Sequence, residues 1–151
     1  MKLYYEGCDF MKLEWNNSLE IGHENIDNQH KELMDRINYF FDSIDSGTGK
    51  EEVLRTLDFL EKYTNKHFYD EEEIQRNYNY PKYKDQCIQH QVFRNQLQDI
   101  RYMCDKYGVT GAITNYMQQK IVDFWEYHIN NLDKDLGQYL KEKSKMEYIE
   151  V

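Results

Sequence analysis

His67 and Glu71 stand four residues apart in the run HFYDE. On a helix that spacing places an imidazole and a carboxylate on one face. Gln86 and His90 repeat the spacing further along, Asp133 follows His128 by five residues, and His30 closes the run IDNQH. Imidazole with carboxylate and no thiolate is a donor set suited to iron, zinc, manganese or copper rather than to calcium or magnesium. Two acids with four or five His would serve two cations about 3–4 Å apart, since carboxylates can bridge two cations and partly neutralise them.

The elements that must position these side chains are helices. His30 continues into Leu33, Ile37, Phe41 and Ile44 at steps of three and four, the helical period. Val53, Leu57, Leu60 and Thr64 lead into His67, Glu71 and Ile74; Gln86 and His90 lead into Phe93, Leu97, Ile100 and Cys104; Ile113, Met117, Ile121 and Phe124 lead into His128 and Leu132. A lone His on such a stripe reads as a satisfied core residue. Four of them in register on four helices, joined by two acids, do not, because buried polar groups without partners cost several kcal/mol each.

Three turn signals separate the segments, at 46–49 (SGTG), 77–81 (NYNYP) and 107–111 (YGVTG). They predict an all-α, up-down-up-down four-helix bundle. Its bundle spans about 21–140, with an N-terminal arm over 1–20 anchored by Trp15 and a charged tail over 141–151. Asn25 or Asp27 is expected to cap the first helix, Asp85 to open the third and Gly108 to close it.

The 151 residues fit one domain. Nineteen Lys and Arg against 28 Asp and Glu give a net charge of −9, which argues against nucleic acid and against anionic membrane surfaces as partners. No run approaches the ~20 apolar residues of a membrane span, and the N-terminus lacks the apolar core of a signal peptide. Cys8, Cys87 and Cys104 are odd in number and contain no CxxC pair, so the expected location is the reducing cytoplasm.

The chain resembles the hemerythrin family, in particular its single-domain bacterial members. The resemblance runs over roughly 15–137 and rests on WNNSLEIG at 15–22, IDNQH at 26–30, HFYDE at 67–71, Tyr80-Pro81 leading to His90, and WEYHI at 125–129 with Asp133 beyond. It implies two non-haem, carboxylate-bridged Fe ions and reversible O2 binding at one of them. His30 and His67 would ligate the iron that binds O2, His90 and His128 the other, and Glu71 and Asp133 would bridge. Leu33, Phe68, Trp125 and Ile129 match the apolar wall of the O2 pocket, which excludes water and so slows loss of the ligand or autoxidation.

One position departs from the pattern: Gln86 stands where the family has a His ligand. Gln86 could ligate through its amide oxygen, hold a water on the iron, or leave the iron under-ligated. Cys87, three residues before His90, is a local thiolate alternative. His23 is expected on the surface, and Asp70, Glu72 and Glu73 are expected to be solvated.

Three functions follow for testing. The first is O2 binding for storage, delivery or scavenging. The second is a di-iron enzyme reducing O2, peroxide or NO, with its reactivity altered by Gln86. The third is a metal-binding or structural bundle without O2 chemistry. The partner expected is O2 or a related small diatomic. An electron donor, and a monomer or a homo-oligomer, stay open.

Overall fold

In the computed structural model, residues 12–147 are described, and every regular element among them is helical. The helices are α1 (Glu24–Asp45), α2 (Lys50–Asn77), α3 (Tyr83–Tyr107) and α4 (Gly111–Tyr127). α4 continues through a π-helical turn, His128–Asp133, into α5 (Lys134–Glu147). The three loops fall on the three turn signals, and loops this short make successive helices antiparallel neighbours. The rod formed by α4, the π turn and α5 is the fourth member of the bundle.

Local chemistry sets the helix ends. Gly108 closes α3 at φ 78, a conformation that costs glycine little, and the Thr110 side chain caps α4 by accepting from the Ile113 N–H. α1 begins differently from expectation. Its cap is His23, half-buried, whose Nδ1 accepts from the Ile26 N–H at 3.4 Å. Asp27 instead accepts from the Ile21 and Gly22 N–H groups at 2.8 and 3.2 Å. That arrangement satisfies the loop entering the bundle and keeps a negative charge in the first turn, where the helix dipole favours it.

The described part of the arm is held by Leu13 and Leu19, both buried. The Asn38 amide donates to the Leu13 carbonyl and accepts from its N–H. Trp15, the expected anchor, is only half-buried and lies under the Lys31 ammonium. Residues 1–11, which include most of the expected arm and Cys8, lie outside the described residues, as do 148–151 of the expected tail. From Lys141 to Glu147 that tail is helix.

The two ends of the bundle differ. Toward the α1–α2 and α3–α4 loops the interior is apolar, with Ile37, Phe41, Leu57, Leu60, Leu97, Ile100 and Met117 packed together. Each such side chain is worth about 1.5–3 kcal/mol when fully buried. Toward the α2–α3 loop the same stripes turn polar. α5 closes this end: Gly137 lies against the 20–22 loop so closely that a Cβ there would come within 2.8 Å of Ile21 Cβ, and the Tyr139 hydroxyl donates to the Tyr78 carbonyl at 2.8 Å. No helix among the described residues is long and apolar enough to cross a membrane.

Candidate metal centre

His30 from α1, His67 and Glu71 from α2, His90 from α3, and His128 and Asp133 from the π turn meet at the polar end, all with no exposed surface. They form two groups joined at Glu71. His30, His67, Glu71 and Asp133 make one, and Glu71, His90 and His128 the other, with the ligating atoms of each group within 4.8 Å of one another.

Both carboxylates divide their oxygens between the groups. Glu71 Oε1 lies 3.6 Å from His67 Nε2 and 4.0 Å from His30 Nε2, while Oε2 lies 3.1 Å from His90 Nε2 and 3.3 Å from His128 Nε2. Asp133 Oδ2 lies 2.8 Å from His30 Nε2 and Oδ1 3.2 Å from His128 Nε2.

The π turn explains how Asp133 takes part. On a regular α-helix a residue five positions on is rotated by about 140°, which would carry Asp133 off the face that holds His128. The i→i+5 bonding of a π turn stacks the two. Both are buried and aimed at the same groups.

Hydrogen bonding fixes the state of His67. The Asp70 carboxylate can only accept, so it takes the Gln29 amide nitrogen at 2.6 Å. Gln29 Oε1 then faces His67 Nδ1 at 2.9 Å, so Nδ1 carries the proton and Nε2 is a bare lone pair directed at the Glu71 carboxylate. Burial holds His67 neutral, pushing its pKa down to about 3 against the pull of Glu71. Burial also opposes charge on His128, but Asp133 and then Glu71 outweigh it and raise that pKa to about 10. Burial would protonate Glu71, but the imidazoles around it, with the charged His128 bonded to Oε2, hold its carboxyl well below the usual range.

The donor set fits metal cations. His30 Nε2, His67 Nε2, His90 Nε2, Glu71 Oε1 and both Asp133 oxygens are buried without hydrogen-bond partners. Orphaned buried polar atoms cost about 1–3 kcal/mol each, and more when charged. Cations between the carboxylates and the imidazoles would satisfy all of them.

The family model for the hemerythrin HHE cation-binding domain matches residues 21–140. The chain belongs to the hemerythrin family. No curated protein matches it in a whole-sequence search. The match spans all six of these residues and Gln86, and the two side-chain groups at the polar end could hold the cations that the family's description names.

Several residues that serve this hemerythrin site were not legible in the sequence. Glu72 was expected to be solvated, yet it is mostly buried and its Oε1 accepts from His90 Nδ1 at 2.8 Å, leaving Nε2 free to face the centre. That bond, ahead of burial, holds the Glu72 carboxyl below its usual range, and Arg94 stands 3.8 Å behind it. Asp70, also expected in solvent, links Lys66 to Gln29 and through it to His67. Such backing bonds orient metal-ligating imidazoles. Glu73 alone of the three acids keeps to the surface, paired with Arg76.

Gln86 is buried and donates from Nε2 to the Leu132 carbonyl at 3.2 Å, leaving Oε1 without a partner. Cys87 is half-buried and belongs to neither donor group, and burial pushes its thiol up. Leu33, Phe68, Trp125 and Ile129 are all buried. Phe68 stacks on His90 at 3.9 Å, and Trp125 packs 5.7 Å from His67 and 5.5 Å from His128. Phe124, half-buried, stacks on His128 at 5.1 Å.

Proposed function

We propose that this chain holds two non-haem iron ions and binds O2 reversibly, for storage, delivery or scavenging. The observation that carries the reading is the division of each carboxylate, Glu71 and Asp133, between two imidazole groups. One cation needs no such sharing, and two do. His30 and His67 would hold one iron, His90 and His128 the other, with Glu71 and Asp133 spanning them. The irons would supply the two electrons that O2 uptake draws on.

The chain's own residues do the rest. Gln29 and Glu72 keep the Nε2 lone pairs of His67 and His90 directed inward. Phe68 and Trp125 pack against the imidazoles, and with the buried Leu33 and Ile129 they would exclude water, which favours release of the ligand intact over its conversion. A cytoplasmic setting, with an electron donor to restore the ferrous state, belongs to the same proposal.

The test is iron content together with oximetry. The reading expects two irons per chain and uptake of one O2 per two ferrous ions, recovered under vacuum. Uptake that is never recovered contradicts it. A second reading, reduction of O2, peroxide or NO, is favoured by one observation: Gln86 offers only a neutral amide where the family has an imidazole. Sustained turnover with a reductant, lost in Gln86→His, supports that reading over the first.

A further inference from the structure

Next to the His90–His128 half of the centre the bundle buries three amide atoms that have no partner among the described residues. Gln75 has no exposed surface and neither Oε1 nor Nε2 is bonded; Gln86 is 1% exposed and its Oε1 is free. α2 and α3 run antiparallel, and Glu71 Oε2 meets His90 Nε2 at 3.1 Å. One turn on from Glu71 is Gln75 and one turn back from His90 is Gln86, so the two glutamines occupy the same layer, a turn from the centre. Tyr80 shares this end: its N–H donates to the Gln75 carbonyl at 2.8 Å, and burial, then Asp135, Asp133 and Glu71, push its phenol up to about 12.

Buried amides left unsatisfied are costly, and two apolar residues would have filled this layer without that cost. The free atoms match one kind of occupant. Water on a cation turns its lone pair to the metal and has both hydrogens to give, and two amide oxygens here lack donors. A small anion in the same place would accept from the Gln75 amide N–H. Direct ligation by Gln86 Oε1 would leave both amide atoms of Gln75 unsatisfied.

We propose that Gln75 and Gln86 line an exchangeable ligand position on the cation held by His90 and His128, occupied by water at rest and open to a small anion. The position is additional to the O2 site expected beside His30 and His67, and it rests on the two-iron reading.

Azide titration of the ferric, iron-loaded protein tests this, with iron content measured first on the same samples. The expected result is two azides per two irons in the parent chain and one in Gln86→His, where an imidazole fills the position. Gln75→Leu is expected to keep both azides but weaken one by roughly 10–100-fold, the scale of one hydrogen bond to a charged group. Its metal-free form should melt no lower than the parent, because orphaned polar atoms are removed. A parent chain that binds one azide, unchanged in Gln86→His, overturns the proposal and makes the Gln86 amide a ligand. Azide affinity unchanged in Gln75→Leu overturns it too. Fewer than two irons per chain overturns the two-iron reading itself, before azide is added.

Discussion

The Gln86 amide nitrogen donates to the Leu132 carbonyl at 3.2 Å, and this bond decides which end of the amide is spare. A carbonyl only accepts, so the nitrogen must face Leu132 and the oxygen is left free within the centre's polar end. Leu132 belongs to the π turn that also delivers His128 and Asp133, so α3 and the last ligand pair are tied through Gln86. Replacing Gln86 with His supplies an imidazole nitrogen, a stronger metal donor than an amide. The expected outcome is tighter holding of a metal ion between His90 and His128 by roughly 10–100-fold, the range over which neighbouring groups tune metal affinity. Competition with a chromophoric chelator measures it.

Glu72 would act on a bound metal through His90, whose Nδ1–H it accepts. In Glu72→Ala the His90 ring loses the acceptor that orients it, and affinity is expected to fall by about 10–100-fold while the helical signal in circular dichroism stays intact. Glu73→Ala, one residue along and paired only with Arg76 on the surface, is expected to leave affinity unchanged. Equal losses in both variants would remove Glu72 from the account.

Metal loading should release a proton. In the metal-free fold His128 is raised to about 10 by Asp133 and Glu71 against burial, so at neutral pH it is charged, whereas a ligating imidazole is neutral. His67, lowered to about 3, and Glu71, held ionised, give up nothing. About one proton per chain from His128 is therefore expected near pH 7, falling away as the pH passes 10. The linked stability has the corresponding sign: a raised imidazole stabilises the metal-free fold fully below its unfolded value near 6.5, and that contribution is lost as the pH rises through 10. A pH indicator in weak buffer reads the proton release directly.

Removing metal should destabilise the bundle. The Nε2 atoms of His30, His67 and His90, Glu71 Oε1 and both Asp133 oxygens have no hydrogen-bond partner without it, and a ligand at a thousandfold excess over its Kd stabilises a fold by about 4 kcal/mol. For a chain of this length that corresponds to roughly 10 °C in Tm. Calorimetry before and after a chelator checks it; equal melting temperatures would mean the centre contributes nothing to folding.

Gly137→Ala tests the closure of the polar end. Its Cβ would meet Ile21 Cβ at 2.8 Å and the Ile21 carbonyl closer still. Overpacking of this kind costs about 1–3 kcal/mol, read as a lower Tm with the centre's ligands untouched.

Most of the bundle was legible because its periodicities are local. The stripes through Leu57, Leu60 and His67, or through His90, Phe93 and Leu97, repeat at helical spacing, and the three Gly- or Pro-bearing turns separate them. The six residues that meet at the polar end were visible for the same reason: polar types on apolar faces. What was hidden depends on contact between helices. Glu72 reads as a surface acid until α3 brings His90 beside it, and Gln29 and Asp70 join only when α1 packs on α2. Asp133 sat at the edge of its face because the α-helical period does not anticipate a π turn. Asp27 was misassigned for a related reason, as its side chain bonds backward to the loop rather than forward to the helix.

The absorption spectrum of the iron-loaded, anaerobically reduced protein, taken before and after air is admitted, tests the central reading most directly. Reversible O2 binding at paired irons predicts a new visible charge-transfer band that disappears when O2 is removed and returns on re-exposure. Direct passage to a stable ferric spectrum without that band would contradict an O2 carrier and leave the enzymatic reading in its place.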